Sequence, residues 1–367
     1  MNWSEWASSQ NDGVRAEGRW RAVKDLDLRG PSGALGADSV VSFASNDYLG
    51  LTAHPAVIAG ARDALDRWGA GSGSARLIVG SRPIHSRLER ALAQWKGTEA
   101  AVLFPNGFAA NLGVLATLGT EDVTIFSDER NHASIIDGCR TARARVVVFD
   151  HLDYDSLSEG LAQSGRSIVV TDTVFSMDGD VADVSRLAEL CRAHGALLVV
   201  DEAHAVLGPH IDLTNMSVLR VGTLSKFLGA MGGFVAGDRE FIDLLINRAR
   251  PFIYTTAGSP ADAGAALAAV NIYRSEEGAR LRNRLRSLFD LVAPGHPSPI
   301  VPILVGEEHE AMKASAALLE RGMVVPAIRP PSVPPGTSRL RVALSAAHTD
   351  DQVESLRIAL EEVVVRA

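Results

Sequence analysis

Apolar, β-branched runs of strand length recur through the middle of the chain, at AAVLF, VTIFSD, ARVVVF, SIVVTDT, ALLVVDEA, VLRVGT and GGFVAG. Between them lie stretches such as NLGVLATLG, DVSRLAELCRAHG and REFIDLLINRAR, whose apolar positions recur at three and four and which stop at glycine, basic or polar residues. A continuous apolar run, in place of strict alternation, marks a strand covered on both faces. Such strands alternating with helices make a mostly parallel sheet. The expected class is α/β, built on a large wound sheet.

After about residue 280 the pattern changes to a basic-faced helix (GARLRNRLRSLFDLVA), the strand PIVPILVG, the helix EHEAMKASAALLERG, two more strands and a closing helix. This predicts a small α+β domain over 281–367 behind a large one over 45–280, with residues 1–44 leading in as an N-terminal arm. The segment RPPSVPPGTS is too rich in Pro, Gly and Ser for a helix or central strand and predicts a rigid, shaped loop.

Composition narrows the classes. A chain of 367 residues that is 46% hydrophobic has ample core for this plan. A net charge of −8 with no basic stripe argues against a nucleic-acid partner. The N-terminus MNWSEWASSQNDG has no apolar signal region, and no run approaches the ~18 apolar residues of a membrane span, so a cytoplasmic location is expected. Cys139 and Cys191 fall inside helical patterns, where buried thiols are expected in place of a disulfide or metal site.

Chemistry-bearing residues cluster just past the predicted strands. ALLVVDEAHA runs into Asp201 and His204, at the carboxyl end where open α/β sheets bind ligands. A carboxylate there needs a cationic partner, such as a protonated pyridine nitrogen, or else caps a helix. VLRVGTLSKFLGAMGG sets Lys226 among Gly222, Thr223 and Ser225, where hydroxyls and free N–H groups hold a phosphate and the amine can form an imine with an aldehyde. It lacks the GxxxxGK spacing of a Walker loop. In FPNGFAANLG, Gly107 and Phe108 open a helix whose N-terminus favours a phosphate. His132 in SDERNHASIID is placed either to stack on a heteroaromatic ring or to cap its helix. Ser176 in TDTVFSMDGD is placed to donate to a ring hydroxyl or to serve as an ordinary turn serine. Together these features describe one pocket for pyridoxal 5'-phosphate, whose protein partners are a lysine and an acid on the ring nitrogen.

The stretches SNDYLGL, GAGSGSARLIVG, FPNGFAAN, NHAS, TDTVFSMDGD, DEAH, GTLSK, PFIYTTA and AIRPPSVPPGTSRLRVALSAAHT, spanning residue 43 to the end, resemble the α-oxoamine synthase family of fold-type I pyridoxal-phosphate enzymes. Such enzymes condense an amino acid with an acyl thioester and release carbon dioxide. The resemblance implies that Lys226 binds the cofactor and moves the α-proton, that Asp201 meets the pyridine nitrogen, and that His204 and Ser176 meet the ring hydroxyl. It further implies cofactor contacts for Gly107, Phe108 and Thr223, a stacking and catalytic role for His132, and Thr255 and Thr256 reaching the phosphate of a neighbouring subunit in a homodimer. Asn46, Ser332 and Arg341 match substrate positions, with Arg19 and Arg21 as alternatives for the acyl chain.

Within the family, AIRPPSVPPGTSRLR, GFAAN and VFSMDGD read most like the branch that joins L-alanine to a pimeloyl thioester, carried on coenzyme A or on an acyl carrier protein. Three features depart from that pattern: Ser332 stands where threonine is usual, AVLGPH after DEAH lacks the glycine-rich continuation, and the stretch from there to Lys226 is short. The alternatives are glycine C-acetyltransferase, 5-aminolevulinate synthase, a serine-using acyltransferase, or a non-catalytic cofactor-binding module on the same fold. A dinucleotide site is excluded because GAGSGSAR lacks GxGxxG spacing.

Overall fold

The computed structural model describes residues 1–208 and 216–364. Part of the shortened segment after DEAH therefore lies outside the described residues. All seven strands expected from the apolar runs form one sheet, in the order Ala100–Phe104, Gly233–Gly237, Val218–Thr223, Leu197–Asp201, Ser167–Asp172, Thr124–Asp128, Arg145–Phe149. Gly233–Gly237 runs antiparallel to both neighbours, and the remaining pairings are parallel.

The continuous apolar runs have a direct structural cause. Along adjacent strands, Val170 and Val199 face one buried cluster while Val169 and Val200 face another on the opposite side. Both pleat faces are thus covered by helices, and a polar residue on either would be stranded without water.

The arm has more structure than its sequence indicates. Trp3–Ala16 is a helix capped reciprocally by Asn2 and Glu5, with no buried residue. Strands Asp27–Arg29, Ser32–Leu35 and Asp38–Ser42 form a meander whose last strand pairs in parallel with Met323–Val324. A further antiparallel sheet joins Ile300–Gly306, Ser338–Ala343 and Ala327–Ile328. RPPSVPPGTS forms the connection into Ser338–Ala343. One buried cluster runs from Phe43 through Tyr273 and Leu285 to Val363, so the packing crosses the change of rhythm near 280 without a break. Among the described residues, no helix is long and apolar enough to cross a membrane. Cys139 and Cys191 are both buried in helices, and burial pushes their thiols up to about 11 and about 12.

Candidate active site

Parallel pairing puts the strand ends together. Asp172 and Asp201 are register partners, so two carboxylates stand side by side at the carboxyl edge. Asp201 Oδ1 accepts from Ala203 N at 2.9 Å and Oδ2 from Asn111 Nδ2 at 2.7 Å. It closes a short turn in place of capping a helix. Asp172 is buried, and its carboxyl is pushed well above the ordinary range, first by desolvation and then by the neighbouring Asp201. Its Oδ2 accepts from His132 N at 2.7 Å. Glu202 of DEAH turns to the other side, where it meets Lys96 Nζ at 2.7 Å and Arg220 at 2.6 Å.

Both roles considered for His132 are compatible with its position. It is the N-cap of Ala133–Thr141, and its ring stands edge-on to Phe108 with centroids 6.4 Å apart. Asn111 Nδ2 also donates to Ser134 Oγ at 2.9 Å, and Ser134 N–H donates to His132 Nδ1 at 3.2 Å, which makes Nδ1 the acceptor for the Ser134 hydroxyl at 2.8 Å as well. Neutral His132 therefore carries its hydrogen on Nε2. Desolvation lowers its basicity, against the pull of Asp201.

Lys226 Nζ lies 2.8 Å from His204 Nε2. Its amine is depressed from the ordinary lysine value, first by burial, with Asp201 and Asp172 opposing. His204 is buried and held well below the usual imidazole range, by desolvation and then by the charges of Lys226 and Arg341. Arg341, also buried, donates from Nε to Ser176 O at 2.6 Å and from Nη2 to Asn46 Oδ1 at 3.1 Å.

A helix N-terminus and a strand end meet beside this array. Asn106 caps Gly107–Leu118 by accepting from Ala109 N at 2.8 Å. A β-carbon on Gly107 would come within 3.3 Å of the Thr223 β-carbon, so the helix N-terminus abuts the end of Val218–Thr223. Thr223 Oγ1 and Ser225 Oγ lie 2.7 Å apart there. Thr255 and Thr256 line a cleft with Arg76, Pro105, Leu224 and Gly232.

Beyond Ser176 opens a cavity of about 710 Å³ lined by Arg19, Arg130, Ser332, Val333 and Arg339 among others. Arg19 pairs with Glu308 at 2.9 Å. Arg21 is exposed and does not line the cavity. Arg339 and Arg130 both pair with Asp178.

His151 fixes the loop that carries Ser176 and Asp178. It bonds Asp128 through Nδ1 at 2.9 Å and Asp180 through Nε2, with its ring edge on Phe175. Burial opposes its charge, but the hydrogen bonds of Asp128 and Asp180 prevail and raise its pKa to about 9. A raised folded-state pKa contributes stability that is fully present below the unfolded value of ~6.5 and is lost as pH rises through about 9. His151→Gln should accordingly lower the urea midpoint most near pH 6, and its gap from the wild type should narrow by pH 10. A gap constant across that range would assign the loss to packing alone.

Asn111 and Ser134, which orient Asp201 and His132, lie in the quoted motifs FPNGFAAN and NHAS but were given no role by sequence. An asparagine on an otherwise apolar helix was the available signal.

The aminotransferase class I and II family model matches residues 38–360, so the chain belongs to that family. Its cofactor is pyridoxal phosphate, and the residues fit it. A carboxylate has about four acceptor positions, two of them occupied on Asp201, and a desolvated amine and a helix N-terminus face the same pocket. Within the family the chain belongs with the 8-amino-7-oxononanoate synthases. It is 47% identical to the one from Anaeromyxobacter dehalogenans, over 98% of this chain and 96% of that one. In structure it resembles a serine palmitoyltransferase variant from S. paucimobilis with a bound pyridoxal phosphate–myriocin aldimine, at TM-score 0.90 and 27% identity over 98% of both chains. The 8-amino-7-oxononanoate synthase of Francisella tularensis matches at TM-score 0.74 and 27% identity, over 89% of this chain and 97% of that one.

Proposed function

We propose that this enzyme joins L-alanine to a pimeloyl thioester, with loss of carbon dioxide, to give 8-amino-7-oxononanoate and a free thiol, a step of biotin synthesis. The observation that carries the reading is the hydrogen-bonded array from the Lys226 amine to Arg341, which sets a base and a carboxylate anchor around one pocket.

When bound, pyridoxal phosphate supplies a protonated ring that takes up electron density as bonds at the α-carbon break and form. Asp201 holds the proton at the ring nitrogen, oriented by Asn111. Gly107, Phe108 and Thr223 would hold the phosphate, and Ser176 and His204 the ring hydroxyl. Arg341, with Asn46 beside it, binds the alanine carboxylate. Lys226 Nζ takes the α-proton and later returns one to the same carbon. Between those transfers the α-carbon bonds to the thioester carbonyl carbon, the carbon–sulfur bond breaks, the thiol leaves, and the alanine carboxyl departs as carbon dioxide. His132 Nε2–H donates to the carbonyl oxygen as charge builds there.

The cavity past Ser176 receives the acyl chain, with Ser332 on its wall and Arg19 for the distal carboxylate. A homodimer with shared sites is supported by the exposed Leu77, Ile78, Val79 and Tyr254, brought near one another by the Ala75–Thr256 bridge. Thr255 and Thr256 then serve the partner's phosphate.

A sister reaction is favoured by the likeness to serine palmitoyltransferase. The deciding experiment offers alanine, glycine and serine against pimeloyl, acetyl, succinyl and palmitoyl thioesters, on coenzyme A and carrier protein, with mass analysis of products. Alanine with a pimeloyl thioester should turn over fastest and yield the nine-carbon amino-oxo acid with carbon dioxide. Faster turnover of glycine with acetyl-CoA, or of serine with palmitoyl-CoA, would move the enzyme to that branch.

A further inference from the structure

Tyr48 is fully buried, and nothing in its sequence context assigns it a part in the chemistry. Its Oη lies 2.6 Å from His204 Nδ1 and 3.0 Å from Asn46 Oδ1. Counting donors and acceptors fixes the direction of every bond in this chain. Arg341 can only donate, so Asn46 must turn its oxygen toward Nη2. That same oxygen then takes the single Tyr48 proton. With its proton so used, Tyr48 Oη must accept from His204, which places the imidazole hydrogen on Nδ1. His204 Nε2 is left as a lone pair facing Lys226 Nζ at 2.8 Å.

The turn that carries Tyr48 is itself held rigidly. Asp47 accepts from Leu51 N at 2.8 Å and Thr52 Oγ1 at 2.5 Å, and its carbonyl accepts from Ser345 Oγ at 2.7 Å. Gly50 sits at φ 69°, where a β-carbon would lie 2.9 Å from that of Ala347. Tyr48 therefore cannot drift from His204 without moving the turn that presents Asn46.

We infer that Tyr48 is a positioning residue that locks His204 as its Nδ1–H tautomer and couples that lock to Asn46 and Arg341, so that arrival of the amino-acid carboxylate is felt at the Lys226 amine. This rests on the assignment of that carboxylate to Arg341, though not on the identity of the acyl donor. A buried tyrosine that merely filled space would leave His204 indifferent to the substrate.

The test uses the cofactor-loaded enzyme labelled with ¹⁵N-histidine. In the wild type, His204 should appear by NMR as the Nδ1–H tautomer, and its resonances should shift when L-alanine is added. Tyr48→Phe keeps the ring and removes the hydroxyl. It should populate the other tautomer and move the pH midpoint of the cofactor's visible band by about one unit, the worth of one hydrogen bond. An unmoved midpoint with His204 still Nδ1–H would overturn the inference. If Tyr48→Phe does not fold, the wild-type titration decides alone: alanine that changes the visible spectrum without shifting His204 refutes the coupling. If alanine, glycine and serine all leave the visible spectrum unchanged, the reading of the substrate site fails instead.

Discussion

Lys226→Ala should fold and still take up pyridoxal phosphate, yet lose turnover by at least about 10²- to 10⁴-fold, the contribution of a positioned proton-transfer group. Folding should survive because Lys226 follows the Val218–Thr223 strand and is only half-buried. Uptake should survive because Asp201, Thr223 and the Gly107 turn are held by bonds that do not involve the amine. In the wild type, borohydride should fix the cofactor to the peptide containing GTLSK and to none of Lys24, Lys96 and Lys313. Lys96 is the informative control. It too is half-buried, but its amine is committed to Glu202 at 2.7 Å and lies over Trp95 at 3.7 Å. Label on another lysine, or near-normal turnover by the alanine variant, would remove Lys226 from the chemistry.

Arg341→Ala should weaken alanine binding by about 10²- to 5 × 10³-fold, because a buried charge stripped of its partner costs ~3–5 kcal/mol. Two of the guanidinium's five donors hold Ser176 O and Asn46 Oδ1, which aims the fork without exhausting it. The cofactor's own binding should change little. Titrating alanine into variant and wild type while following the visible band separates the two effects, and an unchanged alanine affinity would place the carboxylate elsewhere.

The carboxyl edge of the sheet was legible because each strand is buried on both faces and so reads as an unbroken apolar run that stops at a polar residue. Asp201 and Lys226 announced themselves as charges at such stops. Contacts made across the chain were harder to see. Asn111 acts on Asp201 from 90 positions away, and Tyr48 on His204 from 156. The meander of the arm escaped because its strands are short and almost all exposed or half-buried, and the last of them pairs with residues near the other end of the chain. Arg19 and Arg21 have similar contexts in sequence, and the fold alone separates them.

The parallel pairing of Val41 with Met323 sets an order on assembly during synthesis. Those residues are 282 positions apart in the chain. At ~5–20 residues per second, the first waits roughly 15 to 55 s for the second to leave the ribosome. Gly107, Asp201 and Lys226 all emerge well before Met323, yet Leu224, Phe227 and Leu228 beside Lys226 share their buried cluster with Leu340 and Val342. The Asn46–Arg341 contact forms only when translation is nearly complete. The packing beside Lys226 and the Asn46–Arg341 contact therefore wait for the same late segment of the chain.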